Sequence, residues 1–161
     1  MLKKSEKAAR AASSVHVDAD ITDDDVELSI DMRMQSDGKR AAGSISSDGQ
    51  TVQVRVLDQA VYFKRDRDFW VDAANAEAAE LFTGKWVKGR TVDRQETAGL
   101  REKGTEDPGT LYVAQSDKPY PLLVVPDDEA EGQAAFSEWD EAVDVTAPPE
   151  DQVVDIDELR Q

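Results

Sequence analysis

The sequence contains no cysteine. That excludes a disulfide framework, a thiol nucleophile and any cysteine-based metal site, and it leaves the redox compartment unread. There is a single histidine, His16, on the polar side of a strand pattern. With one imidazole and no thiolate, a zinc centre would need carboxylates almost alone, so neither metal nor cofactor is expected. A lone exposed histidine is far more often incidental than catalytic. One sequence leaves a Ser-His-Asp triad open, but it has no G-x-S-x-G elbow. It also has no G-x-x-x-x-G-K-[ST] or G-x-G-x-x-G phosphate loop. The residues therefore give no support for an enzyme.

Long apolar runs are missing too. None approaches the length of a membrane span, and the opening MLKKSEKAARAAS has no apolar centre of the kind a signal peptide carries. Basic charge is scarce. Lys+Arg number 19 against 35 Asp+Glu, for a formal net charge of -16 and a pI near 4.3. Phosphate backbones and anionic headgroups would be repelled, so nucleic acid and direct adsorption to a membrane surface are poor choices of partner.

What is present suits one domain spanning residues 1–161, with 39% hydrophobic and 34% charged residues. Residues 1–14 hold an N-terminal helix, expected over 2–13, where Leu2, Ala8, Ala9 and Ala12 form a thin apolar stripe. The period then changes to two. Val15, Val17, Ala19 and Ile21 alternate with polar residues, and Val26, Leu28, Ile30, Met32 and Met34 do so again. Asp37-Gly38 and Asp48-Gly49 are hairpin signals around a small-residue strand over 41–47. Val52, Val54 and Val56 follow, and then Val61 and Phe63. This is an antiparallel meander with one buried face.

A helix is expected to interrupt it, capped by Asp68 and stopped by Gly84, with Trp70, Ala73, Ala74, Ala78, Leu81 and Phe82 at helical spacing. Weak strands are expected over 91–101 and a loop over 102–108. In GTLYVAQSDKPYPLLVVPDD, Pro119 and Pro121 forbid two ladder hydrogen bonds, so the second strand should begin at an edge or a bulge. An acidic turn over 127–132, strands over 133–136 and 142–146, a stop at Pro148-Pro149 and a tail over 147–161 complete the reading. The tail is expected to add a short helical turn.

The acidic run from Asp18 to Asp25 fails the calcium-loop pattern, because Asp23 stands where glycine is needed and Ser29 where the bidentate glutamate should be. Asp127, Asp128, Glu129 and Glu131 read the same way, as a solvated turn. The apolar residues are more informative. Phe69, Trp70, Leu81, Phe82 and Trp86 cluster around the central helix, and Met32 and Met34 end the best strand. They are either ordinary helix-on-sheet packing or the lining of a space for an apolar ligand.

Four phrases bear on that choice: AARAASSVHVDADITDD, AVYFKRDRDFW with AAELFTGKWVKG, GTLYVAQSDKPYPLLV, and FSEWDEAVDVTAPPEDQVVD. In this order, and over nearly the whole chain, they resemble the actinobacterial LppX/LprG-type lipoproteins, relatives of the LolA lipoprotein carriers. The resemblance implies an α+β fold, a strongly curved antiparallel half-barrel with an N-terminal helix and a central helix on its concave face. It implies a non-enzymatic role, binding or carrying a lipid or lipoglycan-like ligand at the cell envelope. Membrane contact would come only through a lipid anchor on an N-terminal cysteine, and this sequence has neither export signal nor lipobox cysteine. Between Gly84-Lys85-Trp86-Val87-Lys88 and Thr91 a segment usual in the family is missing, which implies a smaller or more open cavity. Strand parity and the resemblance together nominate Met32, Met34, Val54, Phe63, Trp70, Leu81, Phe82 and Trp86 as ligand-lining residues. The alternative is an envelope interaction protein with a filled core and no ligand.

Overall fold

The computed structural model describes residues 2–23, 25–90, 109–126 and 131–159. The strand and loop expected over 91–108, the shortened middle region and most of the acidic turn at 127–130 lie outside the described residues. Helix α1 (Leu2–Ala11) leads into β1 (Ser14–Asp23), β2 (Val26–Gln35), β3 (Arg40–Ser47), β4 (Gln50–Leu57) and β5 (Ala60–Lys64). Helices α2 (Arg67–Ala73) and α3 (Ala76–Phe82) precede β6 (Trp86–Arg90). Strands β7 (Gly109–Val113), β8 (Pro121–Pro126) and β9 (Glu131–Ser137) follow. The chain closes with a 3-10 turn (Glu150–Gln152), β10 (Val153–Asp155) and α4 (Ile156–Leu159).

The ten strands form one curved, unclosed sheet in the order β10-β6-β5-β4-β3-β2-β1-β9-β8-β7. Neighbours pair antiparallel except β10, which runs parallel to β6. The meander forms where period two predicts it, with β1 and β2 in register from Ser14↔Gln35 to Asp23↔Val26. At Asp48-Gly49 both residues have positive φ, 50° and 79°, the backbone of a tight two-residue hairpin. Two glycines inside strands explain bends that a side chain would forbid. A Cβ on Gly43 (φ 156°) would stand 2.0 Å from the Asp31 carbonyl oxygen, and one on Gly132 (φ 125°) 2.0 Å from that of Asp20. Pro121 opens β8 where the β7–β8 register shifts, as a proline lacking an amide hydrogen requires.

Four details differ from the sequence reading. The N-terminal stripe is Ser5, Ala8, Ala9 and Ala12, at i, i+3, i+4 and i+7, while Leu2 is 66% exposed. The central helix is two helices. Asn75 is extended (φ -172°, ψ 176°), and its side chain accepts from the Ala78 N–H at 2.8 Å, so a local cap wins over helix continuation. Asp66, not Asp68, caps the first helix, accepting from the Phe69 N–H at 2.9 Å. The stretch 142–146 forms no strand, and Pro148-Pro149 does not end the sheet, because β10 returns to it beside β6.

Residues 138–149 instead run as a strap across the sheet's polar face. Register places Ser14, Arg33 and Arg55 on that face. Arg33 donates to Glu138 at 2.6 and 3.1 Å, the Ser14 hydroxyl to the Glu141 carbonyl, and Arg55 to the Thr146 carbonyl at 3.2 Å. Val143, Val145 and Pro148 are the strap's own buried residues. At the strap's start Asp140 accepts from the Ser13 N–H at 2.8 Å, from Lys118 at 3.0 Å and from the Tyr120 hydroxyl. These donors, Tyr120 foremost, hold its carboxyl well below the usual carboxylate range. Trp139 stacks on Tyr120 with ring centroids 4.8 Å apart.

Candidate functional site on the apolar sheet face

Register sorts the apolar face into rows that cross the strands. One row runs Phe136, Val17, Met32, Gly43, Val54, Phe63, Val87, Val154. The next runs Val124, Ala134, Ala19, Ile30, Ile45, Val52. Each strand contributes through its two-residue pleat, so the alternation seen in the sequence becomes a continuous apolar surface.

Helices α2 and α3 cover its β5–β6 end, while α1 packs against β8 with Ser5 and Ala12 buried. Trp70 of α2, Ala79 of α3 and Val87 of β6 form the buried cluster, with Phe63, Phe69, Val71, Phe82 and Ile156 packed on it. The Trp70 ring centroid lies 4.7 Å from Phe82, 5.0 Å from Phe69 and 6.0 Å from Phe63. Its Nε1 is buried and makes no hydrogen bond among the described residues. Toward the middle of the sheet, Ala19 and Met32 are buried, but Val17, Ile30, Met34, Ile45, Val52 and Val54 are only half-buried.

The eight residues nominated from sequence separate accordingly. Met32, Met34, Val54 and Phe63 share the apolar face, and Trp70 and Phe82 pack over its β5–β6 end. Leu81 is 42% exposed. It sits about 200° around α3 from buried Ala79, a face the helix turns to solvent. Trp86 stands on the opposite face, because its neighbour Val87 pairs with Phe63. There it is buried under the Arg55 guanidinium, 4.6 Å from the ring centroid, beside Lys64 at 5.9 Å.

Sequence reasoning missed the rim. A groove of about 350 Å³ is lined by Ile45, Ser47, Asp48, Gln50, Val52 and Arg65. Gln53 pairs with Lys64, so Arg65 leaves β5 beside Val52 on the apolar face. Parity from Phe63 was the signal that could have found it. A second groove, about 690 Å³, lies among Lys4, Ala114, Gln115, Ser116, Asp117 and Pro119 near the β7–β8 connection.

His16 lies on the polar face, with Nε2 2.7 Å from Asp31 and Nδ1 3.2 Å from the Ser137 hydroxyl. The three residue types of a triad do meet. However, the Glu138 carboxylate is 3.8 Å from Nδ1 and held by Arg33. A fixed negative charge beside the serine is the wrong sign for stabilising an oxyanion. Among the described residues no cluster of three or more His, Asp or Glu is placed to hold a metal, and no helix is long and apolar enough to cross a membrane.

Comparison of the fold with solved structures finds lipoprotein LppX of Mycobacterium tuberculosis. The TM-score is 0.55 at 18% identity, covering 90% of this chain and 96% of that one. The likeness supports an LppX/LprG-like fold: mixed α+β, with a large open curved sheet. An uncharacterised conserved protein from Thermus thermophilus aligns with a TM-score of 0.40 and 12% identity over 96% of both chains, too distant to inform the fold. No protein-family model matches the sequence. No curated protein matches it either.

Proposed function

We propose that the chain is a non-enzymatic domain of the cell envelope that binds or carries a lipid or other apolar ligand between its sheet and the α2–α3 pair. One observation carries the reading: in the middle of a ten-stranded sheet Val17, Ile30, Ile45, Val52 and Val54 stay half-buried beside buried Ala19 and Met32, where a filled core would close over all of them. Val54 and Val87 belong to the same cross-strand row, yet Val87 is wholly buried under the helices and Val54 is not. An apolar ligand laid on the open part would gain about 25 cal/mol per Å² removed from water, or about 0.8 kcal/mol per methylene. Met32 and Met34 suit such a surface, since the flexible thioether adapts to irregular shapes. Movement of the helix pair would admit the ligand. The fold likeness to a lipoprotein supports the same reading, and with it a place outside the cytoplasm; the described chain has no cysteine to carry a lipid anchor itself.

Lipid extraction and mass spectrometry of protein purified from its native host test this. Co-purifying lipid is expected. Protein that arrives empty, and takes up neither lipid nor a fluorescent apolar probe, would instead support an interaction protein with a filled core.

A further inference from the structure

The rim groove says what kind of ligand the face would prefer. Its floor is the Ile45–Val52 cross-strand pair, continuous with Ile30 and Ala19 along one row. Its wall carries Arg65, whose guanidinium carbon stands 3.9 Å from the Phe69 ring centroid. That stack fixes the guanidinium plane without consuming its N–H donors. Arg65 is half-buried, and among the described residues it forms no ion pair and donates no hydrogen bond. This happens in a chain with 35 acidic side chains. Arg10, Arg33, Lys88 and Lys118 each have a carboxylate partner; half-buried Lys64 and Lys85, like Arg65, form no ion pair among the described residues, but of these three it is Arg65 that lines the groove. The groove's own carboxylate, Asp48, accepts from the Glu27 N–H at 3.3 Å, which ties it to the turn. Ser47 and Gln50 add uncharged polar groups at the same rim.

We propose that the ligand is an anionic amphiphile, its acidic head seated against Arg65 and its acyl chain laid along the row through the half-buried Val52, Ile45 and Ile30 toward Ala19. This rests on the apolar-ligand reading above. At roughly 4.8 Å per strand the track from Val52 to Ala19 spans roughly 14 Å, and the same row continues through Ala134 to Val124 on β8, roughly 24 Å in all, room for a long acyl chain. The shared chemistry is a terminal group of anionic oxygens, supplied by either a fatty carboxylate or a phosphate monoester. A guanidinium with its five donors free suits both. This preference runs against the protein's net charge, which by itself disfavours every anion.

The test compares binding of palmitate, palmitoyl lysophosphatidic acid and 1-hexadecanol, three probes with the same chain length and different heads. At least one anionic probe should bind about tenfold more tightly than hexadecanol, the size of a charge-assisted hydrogen bond. The preference should vanish in Arg65→Gln and persist in Arg65→Lys, with hexadecanol binding unchanged in both. Which anionic probe binds better distinguishes carboxylate from phosphate. Equal binding of all three probes, or a preference that survives Arg65→Gln, overturns the head-group assignment and leaves the apolar site standing. Failure of all three to bind overturns both.

Discussion

Threonine substitution along a single row separates an open apolar face from a filled core. Val54 and Val87 both face the Phe63 position from opposite sides. Val87 is fully buried beneath Trp70 and Ala79, and Val54 is half-buried. Valine and threonine are both β-branched, so strand preference changes little. The substitution mainly replaces a methyl by a hydroxyl. At Val87 that hydroxyl enters a dry apolar cluster, and an unpartnered polar group there costs about 1–3 kcal/mol. At Val54 water reaches the side chain, and the cost should fall to roughly 0.5 kcal/mol or less, as for surface changes. In a chain of this size the difference corresponds to a Tm gap of about 2–4 °C per kcal/mol. Urea midpoints at unchanged m-value give the two costs directly. Val87→Thr should lower the midpoint clearly and Val54→Thr hardly at all. Equal losses at both positions would refute the reasoning, because they would put Val54 in a sealed core.

Other consequences follow from particular contacts. Trp70→Ala should cost about 3–5 kcal/mol, whereas Trp70→Phe should cost far less, since the Nε1 it removes has no partner among the described residues; chemical denaturation of the two variants checks the contrast. Gly43→Ala should be severely destabilising because its Cβ meets the Asp31 carbonyl at 2.0 Å, while Gly49→Ala, with nothing within 4 Å, should cost only the strain of its positive φ; thermal melts rank them. Asp140 has a folded-state pKa depressed below its unfolded value, so its contribution is present above the ordinary carboxylate pKa of about 4 and is lost as pH falls below it. Stability of Asp140→Asn should therefore decline less than that of the parent between pH 6 and pH 3; parallel declines would contradict the strap-fastening role.

The strands from Val15 to Phe63 were legible because each buries one face and local alternation records it. The α2–α3 break was not, because Ala73 and Ala74 favour a helix and only the Asn75 side chain, bonded to its own backbone, stops it. Strand β10 was hidden for another reason. Three residues pair with β6 across more than sixty positions, and nothing local announces such a partner. Val143 and Val145 alternate like a strand because one side of the strap lies on the sheet, without a ladder. At the site, parity placed Met32, Met34, Val54 and Phe63 together. Trp86 was grouped with Phe82 by nearness in sequence, whereas the Phe63↔Val87 pairing puts it on the other face. Arg65 lies in the charged stretch from Lys64 to Asp68, where nothing local sets it apart, and its position beside Val52 gives it a role.

The most direct measurement of the central claim uses the methionines, of which the sequence has three. In protein labelled with ¹³C at the methionine methyls, intermolecular NOEs to the acyl protons of an added lipid report where the chain lies. An acyl chain laid along the row through Ile30 should give NOEs and a chemical-shift change at Met32, one row away on β2, and a smaller shift at Met34, one row farther. Lipid binding that leaves both methyls unmoved and without NOEs would contradict it.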